Sequence, residues 1–133
     1  MNLLKGSCMC GSIKYEVIEK PQLSFLCQCR QCQKITGSGH SAEFVVLEKA
    51  VSLTGELKSY EMKSDQGNTV YSQFCPTCGN PILKKSTGYP GLVFFHAATL
   101  EEPERFNPEK VFWCSSGQPW DYVNPELEVD PNT

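Results

Sequence analysis

Apolar positions along this chain recur mostly with a period of two. Ile13, Tyr15 and Val17 alternate with Ser12, Lys14 and Glu16, as in a strand that buries one face. Ala42, Phe44 and Val46 repeat the pattern, and Val70, Ser72 and Phe74 do so more weakly. The run from Leu92 to Ala97 is apolar nearly throughout, which predicts a strand buried on both faces. Val111-Phe112-Trp113 is another short β-prone run. Turn signals separate these segments at Thr54-Gly55, Gln66-Gly67-Asn68, Gly79-Asn80-Pro81 and Tyr89-Pro90-Gly91. Helical periodicity is scarce: one or two turns from about Arg30 to Ile35, stopped by Gly37. The pattern predicts a mainly β, antiparallel single domain with at most short helical turns, whose loops carry the chemistry.

The 133 residues fit one such domain, placed at 1–123, with 124–133 as a loosely held, proline- and acid-containing tail. A core of this size folds without covalent staples, so the eight cysteines are not there merely to rescue it. Twelve Lys and Arg against fifteen Asp and Glu give a net charge of −3, poorly suited to gripping a phosphate backbone. No nucleic-acid partner is expected. No apolar run is long enough to span a bilayer, and the N-terminus reads as no secretory signal, so a cytoplasmic address is expected. In that reducing compartment cysteines read as metal ligands or reactive thiols before they read as disulfides.

The cysteines fall into a pattern. Cys75-Pro76-Thr77-Cys78-Gly79 has the shape of a zinc knuckle: two intervening residues let both sulfurs reach one ion about 2.3 Å away. The following Gly lets the backbone approach the sulfur. A tetrahedral structural site needs four ligands, and Cys8-Met9-Cys10-Gly11 supplies the other pair. The competing readings are free thiols or a redox C-x-x-C, and the redox reading is weakened because no βαβ pattern surrounds Cys75 and Cys78. Cys27, Cys29 and Cys32 form a second cluster with an odd count. Three thiolates can hold zinc and leave a fourth position open, the arrangement of reactive sites. Alternatively the cluster is closed by His40 or Cys114, or is a disulfide with a spare thiol. Arg30 and Lys34 follow the metal loop and could meet carboxylates of a ligand, or could be solvated charges on a short helix. His40 sits just beyond the loop and has a claim to the site; His96 reads better as a core histidine than as a base.

Together, Gly6-Ser7-Cys8-Met9-Cys10-Gly11, Cys27-Gln28-Cys29-Arg30-Gln31-Cys32 with Gly37, and Phe74-Cys75-Pro76-Thr77-Cys78-Gly79 resemble the glutathione-dependent formaldehyde-activating enzyme family, whose domain centromere protein V shares. Ala97-Ala98-Thr99-Leu100-Glu101-Glu102-Pro103 and Gln118-Pro119-Trp120 resemble later elements of the same family. The resemblance implies a zinc-stapled β-tent. It also implies two zinc ions per chain, one on Cys8, Cys10, Cys75 and Cys78 and one on Cys27, Cys29 and Cys32. The implied activity is that of a carbon–sulfur lyase joining the thiol of glutathione to formaldehyde or a similar small aldehyde, as an S-hydroxymethyl adduct. The alternatives are a non-catalytic zinc-binding interaction module and a thiol/zinc redox sensor. Relatives often carry His where this chain has Gln28, and Cys114 matches no family ligand.

Overall fold

The structure, a computed structural model, describes residues 3–131; residues 1–2 of the expected domain and 132–133 of the expected tail lie outside it. It is mainly β, as the alternation predicts. Strands β1 (Leu4–Ser7), β2 (Lys14–Val17) and β5 (Val51–Thr54) form a three-stranded antiparallel sheet in the order β1-β2-β5. The larger sheet adds β3 (Leu23–Cys27), β4 (Ser41–Leu47), β6 (Lys58–Lys63), β7 (Thr69–Phe74), β8 (Pro81–Ser86), β9 (Leu92–His96), β10 (Lys110–Phe112) and β11 (Glu128–Asp130). Its order is β11-β10-β3-β4-β9-β8-β7-β6. Among the described residues α1 (Arg30–Thr36) is the one α-helix, closed by Gly37 as expected, and no helix is long and apolar enough to cross a membrane.

Two pairings depart from the antiparallel expectation. β10 runs parallel to both β3 and β11. Short strands joined by long connections leave no local signal of direction, because parallel register is set by distant partners. The segment expected to be a loose tail supplies β11, whose Lys110–Glu128 register is accompanied by a 3.2 Å ion pair between those residues.

The two faces of the large sheet have different fates. Side chains alternate across a strand, so Phe44, Val46, Val93 and Phe95 share one face, and Glu43, Val45, Phe94 and His96 the other. The first face packs against the small sheet. Tyr15 stacks on Phe95 with ring centroids 4.1 Å apart, Phe44 lies 5.5 Å from the same ring, and Val17 is fully buried beside them. Burying each of these side chains stabilises the fold by about 1.5–3 kcal/mol. The second face is only partly covered. Phe25, Cys27, Cys32 and Val45 form its buried base, and Leu23, Leu92, Phe94, Phe112 and Trp113 pack around it without sealing it. A cleft of about 650 Å³ is left on that face.

Candidate metal centre and cleft

Cys8, Cys10, Cys75 and Cys78 converge although two of them precede β2 and two follow β7. Their sulfurs all lie within 4.8 Å of one another. Two edges of the group, Cys8–Cys10 and Cys10–Cys75, measure 3.6 and 3.7 Å. Four sulfurs about 2.3 Å from a tetrahedral zinc stand about 3.8 Å apart, so the spacing fits the ion. Local geometry explains why these residues can do this. Gly11 and Gly79 both take left-handed φ values, 83° and 77°, immediately after the second cysteine of each pair, where a Cβ is disfavoured. The backbone amides of Ile13, Thr77 and Cys78 then point at Cys8 Sγ or Cys75 Sγ from 3.3–3.5 Å. Asn80 joins the two loops, its Oδ1 accepting from the Met9 amide at 3.0 Å.

Ser12 was passed over in the sequence as the polar side of a strand. Its hydroxyl lies 3.1 Å from Cys10 Sγ and 3.2 Å from Cys75 Sγ. That hydroxyl, with the Cys78 amide, holds the Cys75 thiol down to about 5. A thiol that ionises so readily is already in the form a metal needs.

The second cluster is built by one short passage of chain. Cys27 ends β3, Cys29 is the N-cap of α1, and Cys32 sits in the helix's first turn, where its amide donates to Cys29 Sγ at 3.3 Å. The three sulfurs again lie within 4.8 Å of one another and could hold a metal ion. Hydrogen bonds from the thiols of Cys27 and Cys32, then the Cys32 amide and the charge of Lys84, hold Cys29 down to about 3. Cys27 is pushed the opposite way by its neighbours Cys29 and Cys32 and by burial.

Behind this cluster lies a buried ionic group that the sequence reading did not pick out. Glu43 is fully buried; its Oε2 accepts from Lys84 Nζ at 3.0 Å and from the Ser41 hydroxyl, and lies 3.7 Å from Cys32 Sγ. Lys84 Nζ also lies 3.4 Å from Cys32 Sγ. Burial works against the charge on Lys84, but the Glu43 carboxylate and the Cys32 sulfur outweigh it and raise its pKa. His96 stands opposite Glu43 in register, and burial pushes its pKa down. Glu43 Oε1 and His96 Nε2 have no hydrogen-bond partner among the described residues. His96 is thus the buried histidine expected, but it is not fully satisfied.

The other sequence candidates scatter. Arg30 is exposed, lines the cleft and donates to Gln33 Oε1. Lys34 is exposed on α1 and does not line the cleft. His40 Nδ1 pairs with Asp121 at 2.9 Å, and Gln28 Nε2 donates to the same carboxylate at 3.0 Å. This places both outside the cleft lining, in a knot that ties the C-terminal segment to the loop after α1. The side chain at position 28 is therefore buried against Asp121 and does not line the cleft. Cys114 is half-buried in a 3-10 turn after Trp113 and belongs to neither sulfur group. Trp113 itself takes left-handed φ and ψ of 58° and 37° at the cleft edge, a conformation that costs a bulky residue about 1–2 kcal/mol.

The cleft sorts the two clusters. It is lined by Cys27, Cys29 and Cys32 and by none of the other four. Its floor is Glu43 and Lys84, and its far side is the β6–β7 turn with Ser64, Asp65 and Gln66. Gln31 Nε2 donates to Lys63 O at 2.8 Å, which holds α1 against that side.

Comparison with known proteins agrees with this picture. A protein of Halomonas elongata, named provisionally as a glutathione-dependent formaldehyde-activating enzyme, is 24% identical over 137 aligned positions, covering 93% of this chain and 82% of its own length. The crystal structure of a Rhodobacter sphaeroides protein superposes with a TM-score of 0.60 over 95% of this chain and 99% of that one. At 18% identity, that likeness speaks for the fold alone. The family model described as glutathione-dependent formaldehyde-activating enzyme matches residues 3–116, a span that takes in both sulfur clusters, the buried Glu43–Lys84 pair and most of the cleft. The chain belongs to the glutathione-dependent formaldehyde-activating enzyme family.

Proposed function

We propose that this protein reversibly joins a thiol, glutathione, to formaldehyde or a similar small aldehyde, acting as a carbon–sulfur lyase on the S-hydroxymethyl adduct. It does so in the cytoplasm with two zinc ions per chain. The observation that carries this reading is the division of labour between the clusters: the one that faces the cleft is the one with three sulfurs instead of four. Cys27, Cys29 and Cys32 would hold one zinc ion, which when bound would supply a site at which an incoming thiol ionises near neutral pH. The ion on Cys8, Cys10, Cys75 and Cys78 only holds the fold together.

The chain's own residues account for the rest. In the forward direction a sulfur lone pair forms the C–S bond, the carbonyl π pair moves to oxygen, and that oxygen takes a proton. Lys84, its side chain 15% exposed, is the cation on the cleft floor and offers a donor to the oxygen as it gains charge. Glu43 fixes the direction of that ammonium. Arg30 and Asp65 on the rim present opposite charges to the carboxylates and amino group of a glutathione-like tripeptide. The aromatic side chains around the cleft keep water off the adduct.

Cys29→Ser tests the proposal. Serine is a good N-cap, so α1 keeps its start and the variant stays folded. It is expected to bind one zinc in place of two and to lose adduct formation, read by metal analysis and by NMR exchange between free and adducted formaldehyde. Full activity with a single zinc would refute the reading. Two zincs inert to thiols in the unmodified protein would favour a non-catalytic module. Zinc loss on mild peroxide, with Cys27, Cys29 and Cys32 modified first, would favour a redox sensor.

A further inference from the structure

The cleft has to hold a whole glutathione adduct on the reading above, and part of its lining beside the three-sulfur cluster is apolar. Its volume of about 650 Å³ lies in the range of roughly 300–1,000 Å³ that holds drug-sized ligands. Arg30 and the β6–β7 turn give the cleft a polar rim, while Phe25, Phe94, Phe112 and Tyr89 form an apolar row that starts beside Lys84, the cross-strand partner of Phe94. Phe25 meets Phe112 edge to face at 5.1 Å and Phe94 at 6.3 Å, and Tyr89 extends the row against Phe94 at 5.7 Å. Leu23 and Leu92 fill between the rings and remain half-exposed. This row adjoins the reactive cluster, because Phe112 stands opposite Cys27 in register and Phe25 and Val45 pack with Cys27 and Cys32.

A polar tripeptide has no use for such a surface, and formaldehyde is too small to reach it. Apolar side chains left half-open beside a reactive centre are instead the mark of a ligand that covers them. Resting on the function proposed above, the geometry points to an aldehyde bearing an apolar group of about six carbons, aliphatic or aromatic, as the carbonyl partner whose adduct this site holds. The polar rim takes the thiol's charged groups, and the apolar row takes the aldehyde's substituent. The chemistry is unchanged: the thiol sulfur bonds to the carbonyl carbon, the π pair goes to oxygen, and the thiol's proton ends on that oxygen.

The test is calorimetric titration of the zinc-loaded full chain with S-methylglutathione and S-hexylglutathione, stable thioethers that mimic the two kinds of adduct. Burying half of each of five added methylenes predicts about thirtyfold tighter binding of the hexyl compound. Phe94→Ala and Phe112→Ala, each checked for two bound zincs and a native circular dichroism spectrum, are expected to erase most of that difference. Equal affinity for both thioethers would overturn the inference and leave the proposed function standing. Binding of neither would remove both. Hexanethiol alone binding as tightly as S-hexylglutathione would place the apolar group on the thiol and overturn its assignment to the aldehyde.

Discussion

Lys84 and Lys85 are neighbours on β8, each in an ion pair, and the geometry predicts opposite consequences for losing them. Lys85 Nζ lies 2.7 Å from Glu48 Oε2, but the two side chains are 40% and 53% exposed. Lys84 Nζ lies 3.0 Å from Glu43 Oε2, and those side chains are 15% and 0% exposed. The shorter contact is the weaker one. Water solvates Lys85 and Glu48 nearly as well apart as together, so Lys85→Met is expected to cost about 0–1 kcal/mol. Lys84→Met strands the Glu43 carboxylate in the sheet with only the neutral Ser41 hydroxyl and the weak Cys32 thiol as donors among the described residues. Removing one partner of a buried pair costs about 3–5 kcal/mol, against a whole-domain stability of about 5–15 kcal/mol. In a domain of this size that is roughly 10–20 °C in Tm. The double variant Lys84→Met/Glu43→Leu removes both charges and is expected to recover much of the loss. Urea unfolding at pH 7 in excess free zinc, with metal content checked for each variant, measures all three. Equal costs for the two lysines, or a double variant no better than Lys84→Met, would refute the reasoning.

Two further outcomes follow from groups outside the cleft. Tyr15 is buried and donates or accepts with Thr99 Oγ1 at 2.7 Å; burial, eased by that bond, pushes its pKa up to about 12 from an ordinary 10. Its neutral form is the one the fold prefers, so its contribution is fully present below about pH 10 and is lost as pH rises through about 12. The loss amounts to about 3 kcal/mol, measurable as stability against pH and abolished in Tyr15→Phe. Ser12→Ala removes the hydroxyl shared by Cys10 and Cys75 and is expected to lower zinc affinity at the four-sulfur site about tenfold or more, read by chelator competition. An unchanged affinity would mean the backbone amides suffice.

The two sulfur clusters were legible in the sequence because their cysteines are grouped locally, and in the four-sulfur group each pair is followed by a glycine, Gly11 or Gly79, whose left-handed conformation the loop requires. The pairing of the first cluster needed only a count to four. Glu43 was not legible for a physical reason. It sits between Ala42 and Phe44 in an alternation that assigns it to a solvent face, and a strand in the middle of an eight-stranded sheet buries both faces. Nothing near it in sequence announces Lys84, which arrives from β8 by way of β9. Asp121 is invisible in the same way: its partners Gln28 and His40 lie far back in the chain. The strands with clean alternation were readable, whereas β8 mixes polar and apolar residues on each face, Leu83 with Lys85 on one and Ile82 with Lys84 on the other.

The separation of ligands in the four-sulfur site also sets an order of events during synthesis. Cys10 and Cys75 stand 65 positions apart in the chain, so the first pair leaves the ribosome long before the second. At about 5–20 residues per second the nascent chain carries a half-made site for roughly 3–13 s. The loop bearing Cys27, Cys29 and Cys32 is complete almost at once. The three-sulfur group is therefore complete and able to take up an ion before the four-sulfur group is. Closing the longer loop then restricts the unfolded chain by about 4 kcal/mol, by the same arithmetic as a cross-link of that span. Zinc supplied only after translation has stopped should remove that order, leaving the relative filling of the two sulfur groups to their affinities alone.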